Sequence, residues 1–214
     1  MKSKKENVNQ ITLLGVVSRP VEFSHETKWE KFYKFYLSVK RKSGYEDEIM
    51  CIVPEVYSGD ICIGKEIRVV GNVRTRNEPN ADNPSRNRLV VEVFVNMVEA
   101  AEVNTNYSYN NFVSLRGYIC TDNKCRETPS GRRICDVVLA VHRFNSAKTD
   151  YIPCIAWGRD AERIALCEKG MMIYCNGRLQ SRPYVKRFDD GSEVEKVAYE
   201  LSISGFEEVG FNED

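Results

Sequence analysis

The sequence predicts an all-β chain that contains two tandem copies of one small five-stranded barrel. Two observations lead to this prediction. Sequence features recur at offsets of 102 to 108 residues, and the second copy contains five short strand-like runs but only one good helical stretch. The length of 214 residues is enough for two domains of about 100 residues each.

The internal repeat sets the predicted domain limits. Leu13–Val17 recurs as Leu115–Ile119, and Leu37–Arg41 recurs as Leu139–Arg143, both at an offset of 102. The offset increases only at expected loops, as two copies of one fold require. We therefore predict an N-terminal domain over 7–102, a polar linker over 103–110, a C-terminal domain over 111–209 and a short acidic tail over 210–214.

The order of elements in the second copy is typical of an OB-fold, a five-stranded Greek-key barrel. A helix is predicted over Arg159–Glu168, between the third and fourth strands, and Gly170 ends it. The loops that border the binding surface of such a barrel are Thr121–Arg133 and Arg182–Lys196. The predicted strands are Phe112–Cys120, Ile134–His142, Tyr151–Trp157, Met171–Gln180 and Val197–Phe206.

Charge is unevenly distributed, although the net charge is zero. Residues 110–186 hold thirteen Lys or Arg against seven Asp or Glu, whereas residues 187–214 hold two against nine. A basic segment of this kind is compatible with local binding of nucleic acid. No run approaches the ~20 apolar residues of a membrane span, and residues 1–7 lack the apolar core of a secretory signal, so we expect a cytoplasmic protein.

Cysteine and histidine usage argues against metal, cofactor and catalytic chemistry. The eight cysteines form no Cys-x-x-Cys pair, and several lie in apolar runs, so we predict buried, reduced thiols and no metal site. The sequence also lacks a Gly-rich phosphate loop and the zinc-deaminase signature. We therefore expect a binding protein without a cofactor rather than an enzyme.

Five segments of the second copy carry recognisable motifs: Asn111–Gly117, Arg126–Gly131, Leu139–Arg143, Asp150–Gly158 and Gly177–Tyr184. They closely resemble the bacterial single-stranded-DNA-binding protein family, and they occur in order, at the family's spacing, over nearly all of residues 110–209. The resemblance implies binding of single-stranded DNA without sequence preference, in replication, recombination or repair.

Four aromatic residues match the family's base-stacking positions. These are Phe144, Tyr151, Trp157 and Tyr184. Strand alternation supports the assignment, because Tyr151 and Trp157 are six residues apart and lie on one face of an unbulged strand. Filling the barrel core is the alternative role for such rings. Arg143, Arg159, Arg178, Arg182 and Lys186 lie near them and are predicted to neutralise phosphates; the accessory candidates are Trp29, Arg116 and His142.

The first copy keeps the strands and glycines but loses every stacking position. Its residues at the aligned positions are Lys42, Glu48, Pro54 and Glu78. We therefore predict a structural or oligomerising N-terminal barrel.

The resemblance also implies partners. Family members commonly present four barrels, so a two-barrel chain is expected to form a homodimer near the nucleoid. The usual acidic Pro-Phe tip is missing from Gly205–Asp214, which places recruitment of replication and repair proteins in doubt. The alternative function is a primosome-type protein-interaction adaptor with weak DNA binding.

Overall fold

The structure is a computed structural model that describes residues 8–80, 83–103, 110–187 and 191–209. Most of the predicted linker (104–109) and the whole predicted tail (210–214) lie outside the described residues.

Within the described residues, each half of the chain forms six strands and one short helix. The N-terminal half contains β1 (Asn9–Val17), β2 (Glu22–Glu26), β3 (Lys31–Lys40), β4 (Glu46–Pro54), α1 (Glu55–Ser58), β5 (Glu66–Asn80) and β6 (Asn83–Ala100). The C-terminal half contains β7 (Asn111–Ile119), β8 (Lys124–Glu127), β9 (Arg133–His142), β10 (Thr149–Trp157), α2 (Gly158–Ala165), β11 (Met172–Arg187) and β12 (Glu193–Glu208). The all-β prediction of two tandem OB-folds is confirmed.

Two segments predicted as loops contain strand structure instead. Within Thr121–Arg133, the short strand β8 pairs with the edge of β9. Within Arg182–Lys196, strands β11 and β12 continue pairing out to Arg187 and Glu193, as a long two-stranded arm. Charged side chains mask such pairing in the sequence, because an exposed hairpin has no buried face to give an apolar alternation.

Each half closes into a barrel by the same pairings. In the first half, the strand order is β2-β3-β4-β6-β5-β1, and β1 also pairs with β3 through Val16 and Val17. In the second half, the order is β7-β11-β12-β10-β9-β8, and β7 also pairs with β9 through Tyr118 and Ile119. One pairing in each of these orders is parallel, β4 with β6 in the first half and β10 with β12 in the second.

Strand alternation fills both barrel interiors. On β9, Val137, Leu139 and Val141 point inward and are almost fully buried, while the intervening residues are partly exposed. Leu139 and Val141 therefore belong to the core of the C-terminal barrel. Helix α2 packs through Ala161 and Ile164 and ends at Ala165, three residues earlier than predicted. No helix within the described ranges is long and apolar enough to cross a membrane.

The two barrels are joined by antiparallel pairing of their first strands. Residues Asn9–Leu13 of β1 pair with Asn111–Leu115 of β7, with Ile11 opposite Val113 at the centre. These two residues are separated by the repeat offset of 102. The junction therefore has approximate two-fold symmetry, and the sheet continues from one barrel into the other.

Two fully buried carboxylates join the barrels at symmetry-related places. Asp47 accepts hydrogen bonds from the Ser181 backbone N–H (2.6 Å) and hydroxyl (2.8 Å). Asp150 accepts a hydrogen bond from the Thr75 backbone N–H (2.7 Å). Each carboxylate also forms a bidentate pair with an arginine of its own barrel, Arg41 and Arg143 respectively. A buried carboxylate is stable only with such partners, so each one locks the other barrel in position.

A glycine at the β11 bulge gives a first prediction. A Cβ atom on Gly177 would lie 2.2 Å from the backbone oxygen of Ser202, on the paired strand β12. Gly177→Ala should therefore lower the free energy of unfolding by about 1–3 kcal/mol, because the strands must move apart. Gly205→Ala is the control, since a Cβ there meets nothing within 4 Å. Urea unfolding followed by circular dichroism measures both; equal midpoints would contradict the prediction.

The cysteine prediction needs correction at two places. Cys125 and Cys135 lie directly opposite each other on β8 and β9 and form a disulfide, and Cys62 is exposed. Cross-strand neighbours bring Cβ atoms into disulfide range, a contact that depends on strand register and so is not visible in the sequence. The thiols of Cys51, Cys154, Cys167 and Cys175 are buried as predicted, and burial raises the pKa of Cys175 to about 12.

Candidate nucleic-acid interface

The four predicted stacking residues are all on the surface of the C-terminal barrel. Their exposed fractions are 75% for Phe144, 51% for Tyr151, 38% for Trp157 and 39% for Tyr184. Aromatic residues of small β-proteins generally fill cores, and these do not. Four large rings in water carry a hydrophobic cost that a ligand surface would remove.

Strand β10 places two of the rings on the same face. Its register with β9 runs from Thr149 to Trp157 without a shift, so Tyr151 and Trp157 point to the same side. They are separated by about 20 Å along the strand. Trp157 is the last residue of β10, and Gly158, with φ of 56°, turns the chain directly into α2.

The other two rings lie outside β10. Phe144 follows the end of β9, in the turn that connects β9 to β10. Tyr184 lies within β11 opposite Lys196, on the two-stranded arm. The arm explains why Tyr184 is held in place rather than carried on a loop.

The phosphate candidates fall into two groups. Arg178 and Arg182 line the same groove as Trp157, and Arg182 also pairs with Glu200 (3.4 Å). Arg159 is exposed in the first turn of α2, and Lys186 is on the arm opposite Val194.

The structure gives Arg143 partners within the protein. Its guanidinium donates to both oxygens of Asp150 (2.9 and 2.7 Å) and to the backbone oxygen of Thr75 in the other barrel (3.1 Å). The group is therefore committed to the junction between the barrels. Sequence position beside the aromatics suggested a phosphate contact, but the partner carboxylate lies seven residues away on the paired strand.

The three accessory candidates are dispersed. Trp29 is in the β2–β3 turn, highly exposed, with the Lys28 ammonium 4.8 Å from the ring centre. Arg116 is on β7 and its Nε donates to the Met172 sulfur (3.1 Å). His142 ends β9, where its Nδ1 lies 2.9 Å from the Thr149 hydroxyl. None of the three lines the groove beside Trp157.

This groove contains residues of the N-terminal barrel that the sequence analysis did not select. Its volume is about 450 Å³, and Arg41 and Tyr45 form one wall. The remaining lining residues come from the C-terminal barrel: Arg132, Trp157, Arg178, Gln180, Ser181, Arg182, Pro183 and Ser202. Arg41 was visible in the sequence as part of a basic run, but its position beside Trp157 depends on how the barrels pair.

Electrostatics make the groove attractive to an anion. Partial desolvation, together with the nearby positive charge of Arg41, lowers the pKa of Arg178 from the ordinary arginine value. The Arg178 guanidinium makes only long hydrogen bonds to Gln180 Oε1 (3.3 and 3.4 Å), and it has no carboxylate partner among the described residues. A bound phosphate would offset the desolvation of the Arg178 guanidinium and its repulsion by Arg41.

The N-terminal barrel has carboxylates at two of the four positions where the C-terminal barrel has rings. The strand registers place Glu48 at the position of Tyr151 and Glu78 at that of Tyr184. Glu48 is paired with Arg19, and Glu78 with Arg76 and Arg88. These positions therefore offer no stacking ring, and their carboxylates pair with the positive charges of the neighbouring arginines.

The fold and this surface define a class, the OB-fold proteins with an exposed aromatic and cationic binding face. Residues 110–208 match the model of the single-strand binding protein family. Over 80 residues the chain is 39% identical to single-stranded DNA-binding protein B of Bacillus subtilis, covering 35% of this chain and 71% of that protein. The chain belongs to the single-strand binding protein family.

Other comparisons extend this result. Single-stranded DNA-binding protein A of B. subtilis is 36% identical over 80 residues; the match covers 35% of this chain and about half of that relative, 46%. The crystal structure of wild-type single-stranded DNA binding protein from Thermus aquaticus aligns with a TM-score of 0.73 at 19% identity. It covers 97% of this chain and 95% of that chain, so the likeness of fold includes both barrels.

Proposed function

We propose that this chain binds single-stranded DNA without sequence preference, through the aromatic and cationic face of its C-terminal barrel. The observation that carries the proposal is the exposure of all four rings at the stacking positions. The names of its B. subtilis relatives support the same ligand. The proposed role is protection of single strands during replication, recombination or repair, and it needs no catalysis.

Stacking and charge contribute differently to this binding. Each base stacked on an aromatic ring contributes roughly 1–3 kcal/mol, whatever the base, because every base has a π-face. Arg159, Arg178, Arg182 and Lys186 would neutralise phosphates, which adds affinity without reading sequence. Stacking does not read the sugar, so RNA is the natural competitor in a binding assay.

The roles of the remaining parts follow from this proposal. The N-terminal domain (7–102) would mainly brace the DNA-binding domain (111–209), since its matched positions carry a lysine, two glutamates and a proline in place of rings. Two chains would associate to present four barrels, near the nucleoid DNA in the cytoplasm. The homodimer, and the contact with replication or repair proteins, stay predictions.

A fluorescence titration tests the proposal. The chain has two tryptophans, both exposed, so Trp29→Phe leaves Trp157 as the single reporter. Adding oligo-dT of increasing length should quench Trp157, because the indole stacks on a base, and the length at saturation gives the site size. Repeated at several salt concentrations, log K should fall with log salt with a slope of about −3, or −0.7 for each of four phosphates.

The reciprocal variant is the control. Trp157→Phe leaves Trp29 as the reporter, and its signal shows whether DNA reaches the β2–β3 turn. Undetectable binding of oligo-dT at low salt would contradict the proposal. In that case, the adaptor function would become the better interpretation, and recovery of a DNA-free complex with a replication protein would support it.

A further inference from the structure

We propose that the N-terminal barrel completes the DNA site by supplying a fifth stacking ring, Tyr45, beside Trp157. One nucleotide of the bound strand would occupy the groove between the barrels, its base against Tyr45 and its phosphate at Arg178. This inference rests on the proposed function and adds to it a contact from the barrel that otherwise lacks stacking residues.

The groove has the size and lining that a nucleotide requires. Its volume of about 450 Å³ is within the range of pockets that hold small organic ligands. Two aromatic residues line it, Trp157 from one barrel and Tyr45 from the other. Trp157 is 38% exposed and Tyr45 is 43% exposed, so neither ring is buried in a core.

Backbone and side-chain contacts with Arg41 position Tyr45 at this place. The turn between β3 and β4 is closed by a hydrogen bond from Arg41 N–H to the Tyr45 carbonyl (2.8 Å), and Gly44 adopts φ of 84° within it. The Arg41 guanidinium lies 4.5 Å from the Tyr45 ring centre and is anchored to buried Asp47 and to the Ser181 backbone oxygen (2.6 Å). The Arg41 guanidinium therefore lies over the Tyr45 ring, and the ring still keeps enough exposed surface to contact a base.

Charge in the groove favours a phosphate. Four guanidinium groups line it, of which Arg41 is neutralised by Asp47 and Arg182 by Glu200. Arg132 and Arg178 form no ion pair within the described part of the chain, which leaves a local charge of about two. A phosphate bound there would accept charge-assisted hydrogen bonds from these arginines, and its negative charge would reduce the repulsion between them.

The approximate two-fold symmetry supplies an internal comparison. At the other side of the junction, Lys148 occupies the place of Tyr45, because Arg143 N–H donates to its carbonyl in the same way (3.0 Å). Pro54 takes the place of Trp157, and Asn72 that of Arg178. This second seam therefore lacks the two rings and the unpaired guanidinium, so only the Tyr45 seam has the chemistry for a nucleotide.

The test is the affinity for oligo-dT of full-length Tyr45→Ala. We expect a loss of about 5- to 150-fold, the amount that one stacked base contributes. Tyr45→Phe should bind nearly as tightly as the wild type, because the ring and its face are kept. Phe23→Ala is the matched control, since Phe23 is an exposed ring of the same barrel, on β2, that does not line the groove. Urea midpoints show that each variant is folded.

The outcomes separate this inference from the proposed function. If Tyr45→Ala binds like the wild type while Trp157→Ala is weakened, the inference is overturned and the proposed function stands. If Phe23→Ala loses as much affinity as Tyr45→Ala, or if Tyr45→Phe is as weak as Tyr45→Ala, ring stacking at the groove is likewise overturned. If the wild type itself fails to bind oligo-dT, the proposed function fails first.

Discussion

Replacing Trp157 and Tyr184 together by alanine should weaken the binding of oligo-dT by at least about 30-fold, because each stacked base contributes roughly 1–3 kcal/mol. The two rings are on different elements, β10 and the β11–β12 arm, so a strand that contacts both must cross the barrel face. Each substitution removes a ring that is exposed to water in the free protein and on which a base would stack. Equilibrium titration at a fixed low salt concentration, with polarised fluorescence of a labelled oligomer, measures the change.

Conservative variants give the control for this result. Trp157→Phe and Tyr184→Phe keep a stacking face and should retain most of the affinity. The slope of log K against log salt should change little in the alanine variants, because no phosphate contact is removed. Binding that is unchanged by the double alanine variant would show that the aromatic face is not the DNA site.

The second large effect concerns stability. Asp150→Ala should lower the free energy of unfolding by about 3–5 kcal/mol, because it leaves buried positive charge without its partner. The carboxylate is fully buried and accepts hydrogen bonds from Arg143 and Arg74, and its loss also frees the Thr75 N–H. The midpoint of urea unfolding should fall by roughly 1–2 M.

Asp136→Ala is the matched control. Asp136 also pairs with an arginine, Arg126, but both side chains are well exposed, at 40% and 48%. Exposed pairs contribute about 0–1 kcal/mol, so its midpoint should hardly move. Asp47→Ala, at the symmetry-related position, should behave like Asp150→Ala. If Asp150→Ala and Asp136→Ala shifted the midpoint equally, the two buried carboxylates would not be what locks the barrels together.

The different behaviour of Arg143 and Arg178 shows how far sequence reasoning reached. Both arginines belong to one barrel, Arg143 directly after β9 and Arg178 on β11, and both were predicted to contact phosphate. Arg143 is paired with the carboxylate of Asp150, seven residues away. Arg178 lies near a second guanidinium, that of Arg41 in the other barrel. Local sequence context does not distinguish the two arginines, because the neighbour that decides the role of each is brought in by strand and barrel pairing.

The sequence by itself determined the barrels and the exposed rings of this protein. Strands of period two sort their side chains into an inner and an outer face, so the repeat, the core at Leu139 and Val141, and the shared face of Tyr151 and Trp157 follow from local order. The groove of Tyr45 and Trp157 was decided only by tertiary structure. Asp47 and Ser181, which hold that seam together, are 134 residues apart in the chain. Such residues meet because the pairing of β1 with β7 sets the two barrels side by side.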